Sequence, residues 1–118
     1  MMQRKNTLEP AKKRAVRRCA FVASVEVTDV SSGTKLSART SEIGMGGCYL
    51  DVLNPFPVGT QLDLRILRDQ GVFTAKAKVV YCDAKFGMGV AFTEIAPKDK
   101  AVLETWLAEI VMLLKPIS

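Results

Sequence analysis

The sequence predicts an all-β domain closed by one C-terminal helix: a small antiparallel barrel with the helix on its side or mouth. Two observations predict it. Short runs of alternating apolar and polar residues, separated by turn signals, recur from Phe21 to Phe92. After Pro97 the apolar period lengthens to the helical spacing of three and four. The size agrees: 118 residues, 48% hydrophobic and 25% charged, make one domain, which buries roughly two-thirds of its unfolded surface without staples.

Each element follows from its residues. Phe21, Ala23, Val25 and Val27 alternate with Val22, Ser24, Glu26 and Thr28, a strand signal. Ser31-Ser32-Gly33 is a turn, and Lys35–Ile43 is a polar strand paired back as a hairpin. Gly44-Met45-Gly46-Gly47 breaks it, and Cys48–Val52 is the next strand. Asn54–Gly59 carries two prolines and is loop, since proline removes a ladder donor. Gln61–Leu67 sets Leu62, Leu64 and Ile66 on one face. Val72–Cys82 is a long strand with Lys76 and Lys78 facing water between Ala75, Ala77 and Val79. Phe86–Phe92 is the last strand, in which Gly87 and Gly89 leave room for close packing. Pro97 suits a helix first turn. Leu103, Trp106, Leu107, Ile110 and Leu114 form the apolar stripe, widened by Val102, Val111 and Leu113, and Pro116 ends the helix. The lone Trp106 is expected as a core anchor. The helix end, Val111–Leu114, is more apolar than one buried face requires, so part of it is assigned to a second copy or a protein partner. A strictly monomeric species in light scattering at high concentration counts against self-association.

Composition excludes several functions. No apolar run approaches the roughly 20 residues of a membrane span, and no apolar leader follows the polar residues 1–18. Cys19, Cys48 and Cys82 are odd in number and widely spaced, so they are expected as strand or core residues in a reducing cytoplasm. The chain has no histidine. That removes the commonest general base and metal ligand. No catalytic residue, metal site or cofactor is expected.

Charge is uneven. Residues 1–18 hold seven cations (Arg4, Lys5, Lys12, Lys13, Arg14, Arg17, Arg18) against Glu9 alone, whereas residues 19–118 hold ten cations and eleven anions. The overall charge of +5 therefore sits on the N-terminal arm. Such an arm attracts polyanions: nucleic acid, an anionic membrane surface or a phosphorylated small ligand. It lacks the large apolar side chains needed to bury itself, so residues 1–10 are read as a flexible basic arm, 11–114 as the barrel with its helix, and 115–118 as a tail. Phe21, Tyr49 and Tyr81 are scattered, with no interleaved aromatic platform of the kind single-stranded nucleic acid stacks on.

Two motifs can carry binding chemistry. One is Arg14-x-x-x-Arg18, with Arg17 inside it, where the arm meets the first strand. The other is the corner Glu42-Ile43-Gly44-Met45-Gly46-Gly47. Glycines there allow positive φ and let a ligand approach backbone N–H groups, or simply make a tight turn or bulge. No Lys-Ser/Thr pair or helix follows, so the corner is not a P-loop.

Together these motifs resemble the PilZ domain family. Gly46-Gly47-Cys48-Tyr49-Leu50, Pro57-Val58-Gly59-Thr60-Gln61-Leu62 and Gly87-Met88-Gly89-Val90-Ala91-Phe92 extend the resemblance over about residues 11–112. The resemblance implies a six-stranded antiparallel barrel that receives cyclic di-GMP between an R-x-x-x-R arm and a (D/N)-x-S-x-x-G wall. The implied ligand residues are Arg14, Arg17, Arg18, Glu42, Gly44, Gly46 and Gly47. Arginine suits this ligand, because its planar fork grips phosphate and guanine acceptors and stacks on purines.

The second motif departs from the pattern. Glu42 stands at the Asp/Asn position with an extra methylene, and Gly44 stands at the Ser position without a hydroxyl. Losing one neutral hydrogen bond weakens binding by up to about tenfold. Strand alternation excludes Ser41 as a stand-in, since neighbours point to opposite faces. The expected function is a cyclic di-GMP receptor that orders its arginine arm on the ligand and signals to a protein partner. The alternatives are a PilZ-like adaptor that has lost the nucleotide and, less favoured, a nucleic-acid binder using the arm. Bacterial signalling is what the resemblance implies.

Overall fold

The computed structural model describes residues 18–114, with side chains from Cys19 to Met112. Its strands are β1 (Arg18–Ala20), β2 (Ser24–Asp29), β3 (Lys35–Gly44), β4 (Gly47–Asp51), β5 (Gln61–Arg68), β6 (Gly71–Asp83) and β7 (Gly87–Glu94), followed by helix α1 (Pro97–Leu114). All pairings are antiparallel, and the order β1-β3-β2-β5-β6-β7-β4 closes through a further β3–β4 pairing. β1 and β2 follow one another along β3, so they are two halves of one broken stave and the barrel wall has six. Across the break, Phe21 N–H donates to Ser41 O at 3.0 Å and Thr40 N–H to Ala23 O at 2.9 Å. The buried Thr40 hydroxyl donates to Phe21 O at 2.6 Å. The break therefore leaves no buried backbone group at Phe21 unpaired, which would cost about 1–3 kcal/mol.

Alternation builds the interior. Val25 and Val27 of β2, Leu62, Leu64 and Ile66 of β5, and Phe73, Ala75, Ala77 and Val79 of β6 point inward and are buried. Ile43, Leu50, Met88 and Val90 complete the fill. The intervening residues of β6, among them Lys76 and Lys78, face water. The β5–β6 hairpin closes on the pair Arg68–Gly71, with Asp69 at φ 53 in the left-handed region. All three cysteines lie in strands: Cys48 buried, Cys19 half-buried and Cys82 exposed, with no disulfide among the described residues.

Helix α1 packs against β6. Trp106 is a core anchor, stacked on Phe21 with ring centroids 5.5 Å apart and tilted against Phe73 at 6.3 Å. It covers Gly71, where a Cβ would stand 3.1 Å from Trp106 Cζ2. The first turn is fixed by the buried Asp99, whose Oδ1 accepts Thr74 N–H at 3.0 Å beyond the last β6–β7 pair, Lys76–Glu94. Arg68 lies 5.1 Å above the Phe21 ring and pairs with Glu109 at 2.9 Å, tying the broken stave to the helix. Leu103 and Ile110 are buried as the stripe predicts, but Val111 is 53% exposed. It therefore does not widen the buried face, and Met112 beside it is 71% exposed. No helix among the described residues is long and apolar enough to cross a membrane.

Candidate functional site

The site is built where the broken stave meets the glycine corner. β1 pairs with the end of β3 in the register Arg18 opposite Gly44, Cys19 opposite Ile43 and Ala20 opposite Glu42. Arg18, the last residue of the arginine motif, is thus on the strand paired with the one that ends in the glycine corner, some 25 residues away in sequence. Arg14 and Arg17 lie outside the described residues, as do 1–10 and 115–118. Glu42 is exposed and makes no ion pair among the described residues. Gly44 and Gly47 are buried and Gly46 is exposed, with nothing within 4 Å of where its Cβ would stand. Gly46 O accepts Phe92 N–H at 2.8 Å, which ties the corner to β7. The corner glycines do not use positive φ; among the described residues the glycines that do are Gly33 and Gly59.

A β-bulge decides which way β3 presents its residues. Thr40 pairs with Leu50 and Glu42 with Tyr49, leaving Ser41 as the extra residue. Thr40 and Ile43 are both buried, while Ser41 is half-buried and Glu42 exposed. Strict alternation from Thr40 would turn Glu42 inward; the bulge keeps it on the outer wall. A second bulge does the same on β6. Val79 pairs with Val90 and Tyr81 with Gly89, so Val80 is extra. Alternation from Phe73, Ala75, Ala77 and Val79 would bury Tyr81, yet it is 37% exposed.

These shifts align a row across four strands: Glu42 opposite Tyr49, Tyr49 opposite Gly89, Gly89 opposite Tyr81. The Tyr49 and Tyr81 rings sit 6.0 Å apart at 35°. Gly87 and Gly89 are the floor beneath them: a Cβ at Gly89 would stand 2.2 Å from Tyr81 Cε1, and one at Gly87 2.7 Å from Tyr49 Cε2. The tyrosines scattered in sequence therefore form a pair beside Glu42, while Phe21 leaves the surface for Trp106. The sequence signal for the pair was the two glycines two residues apart in one strand, whose missing side chains make room for rings from both neighbours.

The Tyr49 hydroxyl donates to Asp83 Oδ2 at 2.7 Å. Burial first, then the hydrogen bond and charge of Asp83, push the Tyr49 phenol above its ordinary value of 10.0. The folded state then holds this proton more tightly than the unfolded state. The resulting stabilisation is complete below pH about 10 and is lost as pH rises through the folded value. In an alkaline absorbance titration, the component missing from Tyr49→Phe should ionise above the ordinary tyrosine range. A component titrating at the ordinary value would refute the Tyr49–Asp83 hydrogen bond.

A closed six-staved antiparallel barrel with a flanking helix, and an arginine strand laid beside a glycine corner on its outer wall, define the class of protein. The family model described as PilZ domain matches residues 11–109. The chain belongs to the PilZ domain family, a family of cyclic di-GMP receptors that are generally non-catalytic. No curated protein matches it. Among solved structures it is similar to the Bacillus subtilis inhibitor of motility (MotI/DgrA), at 19% identity and TM-score 0.71 over 90% of this chain and 55% of that one. It is similar to YcgR from Escherichia coli in complex with c-di-GMP, at 14% identity and TM-score 0.73 over 86% of this chain and 47% of that one. It is also similar to the K. pneumonia MrkH–c-di-GMP complex, at 15% identity and TM-score 0.72 over 87% and 54%. The chain spans about half the length of these proteins, and at such identities the likeness is one of fold.

Proposed function

We propose that this protein is a cyclic di-GMP receptor whose arginine arm orders on the ligand and hands the signal to a protein partner in the cytoplasm. The observation that carries the reading is the β1–β3 register, Arg18 opposite Gly44 and Ala20 opposite Glu42. It starts the arm at the edge of the glycine corner, within reach of any ligand lying there. The chemistry is complementary. Cyclic di-GMP brings two phosphodiester anions for Arg14, Arg17 and Arg18, and guanine N–H donors for the Glu42 carboxylate. The exposed Gly46, between the buried Gly44 and Gly47, leaves the wall low, so the ligand can approach the backbone there. The tyrosine row adds a flat surface on which a purine can stack. Ordering the arm costs entropy, so closure waits for the ligand to offset it. The exposed helix end at Val111 and Met112 is the surface we assign to the partner, or to a second copy.

Calorimetric titration of cyclic di-GMP near physiological salt tests this reading, with Tyr81→Ala as the site probe. Binding should be micromolar or tighter, and Tyr81→Ala should weaken it by about tenfold or more, the usual worth of one stacked base. Absence of heat, with no competition by the nucleotide, would sink the receptor reading. The second reading is then the nucleotide-free adaptor, which the missing hydroxyl at Gly44 and the carboxylates Glu42, Asp51 and Asp83 along the wall favour. Binding of nucleic acid with strong salt dependence and no nucleotide preference would instead point to the arm alone.

A further inference from the structure

We infer that Ser41 and Glu42 act together as a reader of the guanine base, with the Ser41 hydroxyl supplying the donor that the carboxylate cannot. The inference rests on the receptor reading above and adds the basis of its base specificity. The bulge carries it. Thr40 and Ile43 are both buried, and the two residues between them share the single partner Tyr49 on β4. At such a step two consecutive side chains lie together instead of on opposite faces. The Ser41 backbone is fixed there, since its carbonyl accepts Phe21 N–H at 3.0 Å. Ser41 is half-buried, and its hydroxyl makes no hydrogen bond among the described residues.

Chemistry gives the pair its meaning. An ionised Glu42 is acceptor-only, whereas a serine hydroxyl can donate. A donor beside an acceptor matches the guanine edge, where the O6 acceptor adjoins the N1–H and N2–H donors. Adenine presents the reverse order, an N6 donor beside the N1 acceptor. Its N1 lone pair would face the Glu42 carboxylate. A site that must satisfy a hydrogen-bonding edge rejects the mismatched base strongly.

The test uses the full chain and two probes, cyclic di-GMP and cyclic di-AMP, titrated into wild type, Ser41→Ala and Ser41→Thr. Ser41→Ala should lose about fivefold to tenfold in cyclic di-GMP affinity, the worth of one hydrogen bond. Its affinity for cyclic di-AMP should not change, so discrimination narrows by the same factor. Ser41→Thr, which keeps the hydroxyl, should retain most of the discrimination, and the ligand-free melting temperatures should agree. Equal cyclic di-GMP affinity for wild type and Ser41→Ala overturns the inference while the receptor reading stands. An equal loss for both nucleotides also overturns it, because that marks a merely structural role. No binding by wild type overturns the receptor reading and this inference with it.

Discussion

Arg18→Ala is expected to abolish measurable cyclic di-GMP binding, and Arg14→Ala to do the same. A guanidinium that grips a phosphate or a guanine edge makes two charge-assisted hydrogen bonds, each worth about 1.5–3 kcal/mol. Losing both costs about 3 kcal/mol or more, which is at least a hundredfold in affinity. A micromolar complex then falls below calorimetric detection. Arg18 stands opposite Gly44 at the start of the wall. Arg18→Lys separates charge from geometry: it keeps the cation and loses the bidentate contact, so it should recover a small part of the affinity. Arg18→Ala with wild-type affinity would remove the arm from the site. The basic arm also makes the complex salt-sensitive, so the comparison must hold ionic strength fixed.

Gly87→Ala should produce the largest loss of stability of any single methyl addition to the wall. Its Cβ would stand 2.3 Å from Leu50 O, a backbone atom of the neighbouring strand, and 2.7 Å from the Tyr49 ring. A carbonyl inside a β-ladder cannot step aside without separating β4 from β7. Forced overpacking of this kind costs about 3 kcal/mol, a drop of roughly 10 °C in melting temperature for a domain of this size. Gly89→Ala is the informative contrast. There the nearest atoms belong to the Tyr81 side chain, at 2.2 Å and beyond, and a side chain can swing away. Gly89→Ala should therefore cost less stability but displace the tyrosine, and with it the stacking contribution to ligand affinity. Thermal melts and calorimetry on the two variants check both halves. Equal destabilisation would show that the Tyr81 ring is as immovable as the backbone.

The candidate site lies on the outer wall of a filled barrel. Phe73, Leu62, Leu64 and Ile66 fill the interior, so the proposed ligand would have to be read from the outer wall. β1 continues into Phe21, which packs on Trp106, and Arg68 bridges that ring to Glu109 of the helix. Phe21 stands three residues beyond Arg18, so Trp106 meets the end of β1 through that ring.

The sequence by itself determined the element order, because alternation and helical periodicity are local properties that burial then enforces. Lys35–Gly44, Gln61–Arg68 and the helix from Pro97 lie within a residue or two of where their patterns place them. It also identified the Arg14/Arg18 and Glu42/Gly44 motifs through residue type and spacing. Only the tertiary structure decided which of these residues share a face. Tyr49 and Tyr81 are 32 positions apart in sequence and become neighbours because β4 and β6 flank β7. The phase of alternation was the part least open to local reading. One extra residue at Ser41 and one at Val80 each reverse the facing of everything that follows, and a bulge is fixed by how two strands pair, not by the residues of either one. Those two bulges put Glu42 and Tyr81 on the outer wall, where alternation alone would have buried both.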